Sequence, residues 1–409
     1  MAAASSRPDL RRLLAGAGEA RAGAAGSFAE RDSSARAGSS GLLAGIAEGG
    51  RRLLLSEYFV LVLTIAYFIV LLPFIPALSN PANLANTLSN VWPLFAVAIG
   101  QTFVLAIGGI DLSQGAVVGL TSVVGAMLVA TAAPGEVLSA SPIWGVFIDE
   151  NGGVLANAAY PVPMALLAML FVALLIGLFN GASVAWAQMP PFMVTLVTMI
   201  AVGAFAIYIT RSENIRFLPE SYVALGKGDL VSVYLGGMDE PRIPRRQIYS
   251  LITYPMVISV GLALAAHFLL SRTVFGRHVY AIGTNRRAAT VSGVPVARVI
   301  VMVFMVSAVC ATIGGLLYSA RLEAGRPTLG EGTFLLDVIG ATVIGGTSLF
   351  GGKGKVVWTF FGVLFFVLLS NTLNLMNLSS FHIDMVKGCV ILGAASLDVV
   401  RTRLLARSH

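Results

Sequence analysis

The sequence predicts an all-α fold: a polytopic transmembrane helical bundle of about ten spans with broken helices, its N- and C-termini cytoplasmic. Three observations lead there. Of 409 residues, 56% are hydrophobic and only 11% charged, against about 25% charged in an average soluble domain. Charge is also clumped: between Tyr58 and Arg211 the acids and bases are Asp111, Glu136, Asp149 and Glu150 alone. Between such islands, apolar runs of about twenty residues recur, and at about 1.5 Å of rise per residue each is long enough to cross a hydrocarbon layer about 30 Å thick. An ordinary soluble enzyme is excluded. The 44 glycines and 17 prolines allow close helix packing and helix breaks, which favours a transporter or channel over an anchor.

In chain order, residues 1–52 come first, rich in Arg, Ala, Gly and Ser and without a long apolar run, and read as a disordered cytoplasmic tail. The stretch Leu13 to Gly18 is too short for a secretory signal before Glu19 intervenes. Residues 53–409 form one transmembrane domain. Its spans are placed near 58–76, 91–109, 115–133, 162–187, 192–210, 251–270, 298–320, 335–350, 356–376 and 382–400. The basic N-terminal segment, the loop of about 272–297 with its arginines (Arg298 just beyond it), and the basic C-terminus all belong on the cytoplasmic side. Segments of about 134–161 and 211–250 then lie outside, neither large enough to be a separate domain. Cys310 and Cys389 fall in apolar runs and read as small hydrophobes.

One internal echo stands out. Ile107-Gly108-Gly109-Ile110-Asp111-Leu112-Ser113-Gln114-Gly115 and Ile344-Gly345-Gly346-Thr347-Ser348-Leu349-Phe350-Gly351-Gly352 share Ile-Gly-Gly, a Leu and the final Gly. Either the chain is duplicated, in parallel or inverted halves, or Gly-rich apolar sequence is matching itself by chance. Broken helices at matching positions mark substrate pathways in duplicated transporters. The candidate pathway or helix-break residues are therefore Gly108, Gly109, Asp111, Ser113, Asn180, Gly345, Gly346, Thr347 and Ser348. An Asp at membrane depth costs about 2.5–3.5 kcal/mol on insertion scales, so Asp111 must face protein, water or a helix N-terminus. It either lines a polar path with Ser113 or caps the helix starting near Gly115; the cap is preferred.

The loop around Gly283 to Pro295 reads as one short helix, capped by Thr284 or Asn285, smooth at Ala288 and Ala289, and ended by Ser292-Gly293. It is either a docking helix or a basic loop that only sets topology. Gly351-Gly352-Lys353-Gly354 is not a phosphate-binding loop, because Thr347 stands where its first glycine belongs and no Ser or Thr follows Lys353. Asp384 and Lys387, three apart, are expected to neutralise each other. No catalytic or metal-ligand arrangement is present, so the chain is not expected to be an enzyme, to hold a metal or a cofactor, or to bind nucleic acid; any use of ATP and Mg must reside in a partner.

Four stretches in this order resemble the permease subunits of bacterial ABC importers for ribose, xylose and related monosaccharides. They are Gln101-Thr102-Phe103-Val104 running into Gly108 to Ser113; Asn180-Gly181 followed by Pro191 to Leu196; Phe275-Gly276-Arg277 into Ala281-Ile282-Gly283, Ala288-Ala289 and Ser292-Gly293; and Gly325-Arg326-Pro327 through Ile344 to Gly354. The resemblance implies a homodimeric permease in the bacterial inner membrane, bound to cytoplasmic ATPase subunits and fed by an extracytoplasmic sugar-binding protein. It makes Gly283, Thr284, Asn285, Arg286, Arg287, Ala288, Ala289, Ser292 and Gly293 the ATPase-coupling segment, and Arg321, Glu323 and Arg326 contacts for the binding protein. Cargo would be a pentose, hexose or polyol. Nucleosides or branched-chain amino acids, carried by other members of that family, are the alternative; a stand-alone carrier driven by protons through Asp111 competes with both.

Overall fold

A computed structural model describes residue 56 and residues 58–132, 135–234 and 248–406; the expected tail over 1–52 lies outside the described residues. Apolar helices occur at all ten predicted span positions. Among the described residues, seven are long and apolar enough to cross a membrane, and three are shorter.

The short ones are informative. Helix α1 (Phe59–Leu71) stops five residues before the expected end because Pro73 and Pro76 remove backbone donors and divert the chain into a 3-10 turn at Pro76–Ser79. Helix α2 (Pro81–Ala106) begins ten residues earlier than hydropathy indicated. Its first turns are polar, but the start is written in local chemistry: Asn80 Oδ1 accepts from Ala82 N at 2.9 Å and Pro81 occupies the first helical position. Helix α3 (Gln114–Val129) follows, then a short turn α4 (Glu136–Ser139) and a small antiparallel hairpin, β1 (Ile148–Asp149) with β2 (Gly152–Gly153).

Helices α5 (Pro161–Ala185) and α6 (Pro191–Thr210) lead to α7 (Glu220–Lys227) and a second antiparallel hairpin, β3 (Asp229–Tyr234) with β4 (Ile248–Thr253). Next come α8 (Tyr254–Arg272), the two short helices α9 (Val274–Thr284) and α10 (Arg286–Val291), and α11 (Val296–Leu322). The chain closes with α12 (Phe334–Ile344), α13 (Val356–Leu375) and α14 (Ser380–Ala406).

Burial orders these elements. Helix α2 is enclosed from Val91 to Ala106, and α11 beside it is buried along most of its length. Small residues let the two approach closely: Gly100 lies against Cys310 and Ser307, and Gly314 against Val97. By contrast α5, α6, α8 and α14 expose Leu167, Phe171, Val197, Phe268 and Leu392. That is how a membrane protein turns apolar surface to lipid, since no hydrophobic force expels such side chains there.

The described parts of segments 134–161 and 211–250 pack back onto the helices. Leu138, Ile148 and Ile215 pack onto Leu120, Val123 and Met127 of α3, and backbone bonds Gly153 N to Ala130 O (2.8 Å) and Thr131 N to Phe217 O (2.8 Å) stitch the segments to the end of that helix. The predicted Asp384–Lys387 pair does not form. Lys387 Nζ reaches across to Asp337 on α12 at 2.7 Å, while Asp384 accepts from Thr333 at 3.2 Å, so α14 is bound to α12 rather than neutralised within itself.

Candidate functional site

Two helix–corner–helix units shape the interior. In the first, α2 ends at Ala106, Gly108 turns the chain with φ of +78°, and α3 starts at Gln114. A φ of this sign is nearly free for glycine and costs other residues roughly 1–2 kcal/mol. The corner is seated on the first turn of α6, where Gly109 meets Pro191 and Thr195 Oγ1 donates to Ile110 O at 3.2 Å.

Side chains then lock this corner. Thr198 Oγ1 donates to Asn180 Oδ1 (2.6 Å), Asn180 Nδ2 to Ser113 Oγ (2.9 Å), and Ser113 Oγ to Asp111 Oδ1 (2.6 Å). From the other side Gln114 Nε2 donates to Ser307 Oγ (2.8 Å) and Ser307 Oγ to Asp111 Oδ2 (2.7 Å). Ser113 N adds a third donor to the carboxylate at 2.9 Å. All six residues are buried, Asp111 at 2% exposure. Both donor chains run toward the carboxylate, so its charge is met by three hydrogen bonds, each worth about 1.5–3 kcal/mol to a charged acceptor, comparable to the insertion cost. The sequence pointed to Asp111, Ser113 and Asn180. It missed Ser307, Gln114 and Thr198, whose only signal was a polar side chain inside an apolar run. The structure joins them into one network linking the corner, α3, α5, α6 and α11, in which Gln114 Oε1 alone has no partner among the described residues. Asp111 bonds to Ser113 just ahead of α3, and Ser113 itself makes no side-chain cap.

The second unit runs from α12 through Gly345, Gly346, Thr347 and Ser348 to α13. Backbone bonds shape it: Thr347 N to Thr342 O (3.2 Å), Ser348 N to Lys353 O (3.1 Å) and Gly351 N to Ser348 O (3.2 Å). Phe350 N also donates to Ser348 Oγ at 3.2 Å, and the buried Thr347 Oγ1 has no hydrogen-bond partner among the described residues. The two echoing segments touch. Gly352 N donates to Ala106 O at 2.9 Å, and buried Thr102 and Thr359 share a hydroxyl bond of 2.8 Å between α2 and α13. Both corners therefore sit at the same end of the bundle, with their helix pairs running in the same sense.

At that end lie α9 and α10. The N-cap is Asn285, whose Oδ1 accepts from Ala288 N at 3.0 Å; Thr284 instead bonds back to Tyr280 O at 2.9 Å. Gly293, with φ of +80°, ends the turn together with the bond from Val294 N to Ala289 O. The alanine pair divides: Ala289 is buried, while Arg286, Arg287, Ala288, Thr290, Val291, Ser292 and Gly293 are exposed, Val291 at 90%. Gly283 is the contact with the interior. A Cβ there would overlap the Ala106 carbonyl and the Gly352 nitrogen, so only glycine lets α9 reach both corners at once.

Of the three binding-protein candidates, Arg321 is about 30 Å away along α2, through its partner Asn86, while Arg326 lies nearer, beside α3. Arg321 Nη2 donates to Asn86 Oδ1 at 2.9 Å, Glu323 pairs with Lys227, and the exposed Arg326 has its backbone fastened to Ser122 Oγ. Arg321 and Lys227 border a half-open cavity of about 440 Å³, lined also by Ser89, Asp229 and Thr253 and by the apolar Pro255 and Leu322.

Comparison with known proteins agrees with this architecture. The family model described as "Branched-chain amino acid transport system / permease component" matches residues 83–395, from the first turn of α2 into α14. The chain is 33% identical over 325 residues to the ribose import permease of Bacillus subtilis, covering 79% of this chain and 86% of that one. It is 30% identical over 358 residues to the xylose transport system permease of Haemophilus influenzae (77% and 88% covered). Against the D-allose transport system permease of Escherichia coli K12, identity is 29% over 341 residues (83% and 90% covered). No solved structure matches the chain.

Proposed function

The chain belongs to the family of branched-chain amino acid transport system permease components, and from that premise we propose that it is the membrane-spanning subunit of an ATP-driven importer for a monosaccharide. One observation carries the choice of cargo. The relatives compared above are named for ribose, xylose and allose, and they align over more than three quarters of this chain. As such a permease it sits in the bacterial inner membrane as a multi-pass protein.

The geometry supports the division of labour. Helix α10 is exposed at a basic end that the positive-inside rule makes cytoplasmic, and it offers an apolar tip at Val291 between Arg286, Arg287 and Ser292. A short helix of this kind fits a groove on an ATPase subunit, which supplies the nucleotide chemistry that this chain has no loop to perform. Gly283 passes any movement of α10 to both corners. A second permease copy completes the pathway, and the surface around Arg321, Glu323 and Arg326 receives the sugar-binding protein. A proton-driven carrier would need Asp111 open to an aqueous path, whereas it is buried and its hydrogen-bond donors are protein groups.

The test is uptake into proteoliposomes holding the permease and its ATPase, with binding protein outside and ATP inside. Labelled ribose, xylose and allose should enter only with ATP, and leucine should not compete. Uptake of leucine in place of the sugars would move the assignment to amino acids. Sugar uptake without ATP, driven by a pH gradient, would overturn the importer reading.

A further inference from the structure

Helix α8 carries a stripe that turns away from the bundle. Val257, Leu264 and Phe268, at spacings of seven and four, fall on one side of the helix and are 46%, 65% and 62% exposed. Gly261 stands between them, and nothing lies within 4 Å of where its Cβ would be, so the stripe has a notch. Four residues beyond Phe268 the same side ends in Arg272, exposed at the last position of the helix. Apolar side chains ended by one arginine suit a helix face on lipid whose cation reaches the headgroups.

The chain then turns sharply. Thr273 Oγ1 donates to Leu269 O at 2.5 Å and accepts from Gly276 N at 3.3 Å, and a Cβ on Gly276 would overlap the Leu270 carbonyl, so the first turn of α9 folds back on the last turn of α8. On α9, Gly276, Val279 and Ile282 are buried, whereas Val274 and Arg277, three apart, are exposed on the opposite side. Arg272 and Arg277 therefore bracket one turn at the end of the stripe. Neither has a carboxylate partner among the described residues, and no Asp or Glu occurs from Tyr254 to Leu322. At the same end of the bundle the exposed Trp186 closes the side of α5 that carries Phe171 and Phe179, where an aromatic ring marks a membrane boundary.

We propose that Arg272 and Arg277 bind the phosphate of an anionic phospholipid whose acyl chains lie along Val257, Gly261, Leu264 and Phe268. The charges are complementary, the guanidinium fork matches phosphate oxygens, and the site continues the lipid-facing stripe. Arg286 and Arg287 on α10 are left for the ATPase. That the lipid comes from the inner leaflet rests on the reading of the α9–α10 end as cytoplasmic.

The test gives the full-length permease, stripped of lipid in detergent, equal amounts of phosphatidylglycerol and phosphatidylcholine and counts retained lipid by native mass spectrometry. Phosphatidylglycerol should be retained about tenfold over phosphatidylcholine, the order expected for two arginines at a membrane surface. Arg272→Gln with Arg277→Gln should bring that preference below about threefold, and Arg272→Lys with Arg277→Lys should keep most of it. Arg298→Gln with Lys353→Gln removes the same charge from the same end, but from the start of the buried α11 and from the second corner, and should leave the preference as it was. Equal retention of the two lipids by native protein, the result if a second copy covers α8, would overturn the site. So would an equal loss in both Gln pairs, the result of diffuse attraction. Failure of the orientation reading looks different: with Cys389→Ala as background, Ser271→Cys would react with a membrane-impermeant maleimide in intact cells, while the lipid preference in detergent would persist.

Discussion

The two corners have the same outline and different construction. Ile107 to Ser113 is held by side chains: a buried carboxylate collects three hydrogen bonds and is joined through five polar partners to three other helices. In Gly345 to Gly354 most of the bonds are made by backbone, joined by Phe350 N donating to Ser348 Oγ and by the Tyr280 phenol on Gly354 O, and the buried Thr347 hydroxyl has no partner among the described residues. The shared Gly-Gly pair turns the chain in both, but at different residues: φ is positive at the first glycine, Gly108, in one corner and at the second, Gly346, in the other.

The largest expected effect comes from removing the centre of the first corner. Asp111→Ala strands Ser113 N–H and two hydroxyls in a buried site and should lower stability by about 3 kcal/mol, offset in part by losing a buried charge. Thermal unfolding in detergent measures it, and a Tm within a degree of native would show that the carboxylate does not hold that corner.

Next is the contact between the corners. Gly352 has φ of +74°, and a Cβ would stand 2.7 Å from Thr284 Oγ1, so Gly352→Ala should cost about 2 kcal/mol from backbone strain and crowding. Its transport rate should fall more than its stability does, measured as uptake per folded protein, if the junction transmits motion.

Ser307→Ala sharpens the picture on the distant side of the network. It removes one donor to Asp111 and one acceptor for Gln114, at about 1.5 kcal/mol. Combined with Asn180→Ala the loss should exceed the sum of the single losses, because both arms support one carboxylate.

The smallest effect is expected at the second corner. Thr347→Val replaces an unpartnered hydroxyl by a methyl of similar size and should shift stability by less than about 0.5 kcal/mol. A loss of about 2 kcal/mol in the same melting assay would show that this hydroxyl too is hydrogen-bonded.

Much of this was legible in one dimension. Ten apolar runs became ten apolar helices, because at membrane depth the backbone has no water to bond and must close its own hydrogen bonds within each run. The corners announced themselves by paired glycines, and the start and end of α10 by Asn285 and Gly293. The early start of α2 was also encoded, in Asn80 and Pro81, but in capping chemistry rather than hydropathy, so a search for apolar runs passed over it. Other features had no local trace. Lys387 has Asp384 three residues away and pairs with Asp337 instead, since α12 lies closer to its ammonium than its own helix face does.

By itself, then, the sequence determined that this is a multi-pass helical membrane protein, where its helices break, and that its family is one of transport permeases. These follow from apolar content, glycine placement and ordered motifs, all of which act over a few residues. Only the tertiary structure decided that the two breaks meet end to end, that Ser307 and Gln114 close on Asp111, and that Tyr280 reaches Gly354. Each of those contacts joins residues remote in sequence or on different helices, and which polar side chain finds which partner in a low-dielectric interior is settled by how the helices pack, not by what either residue is.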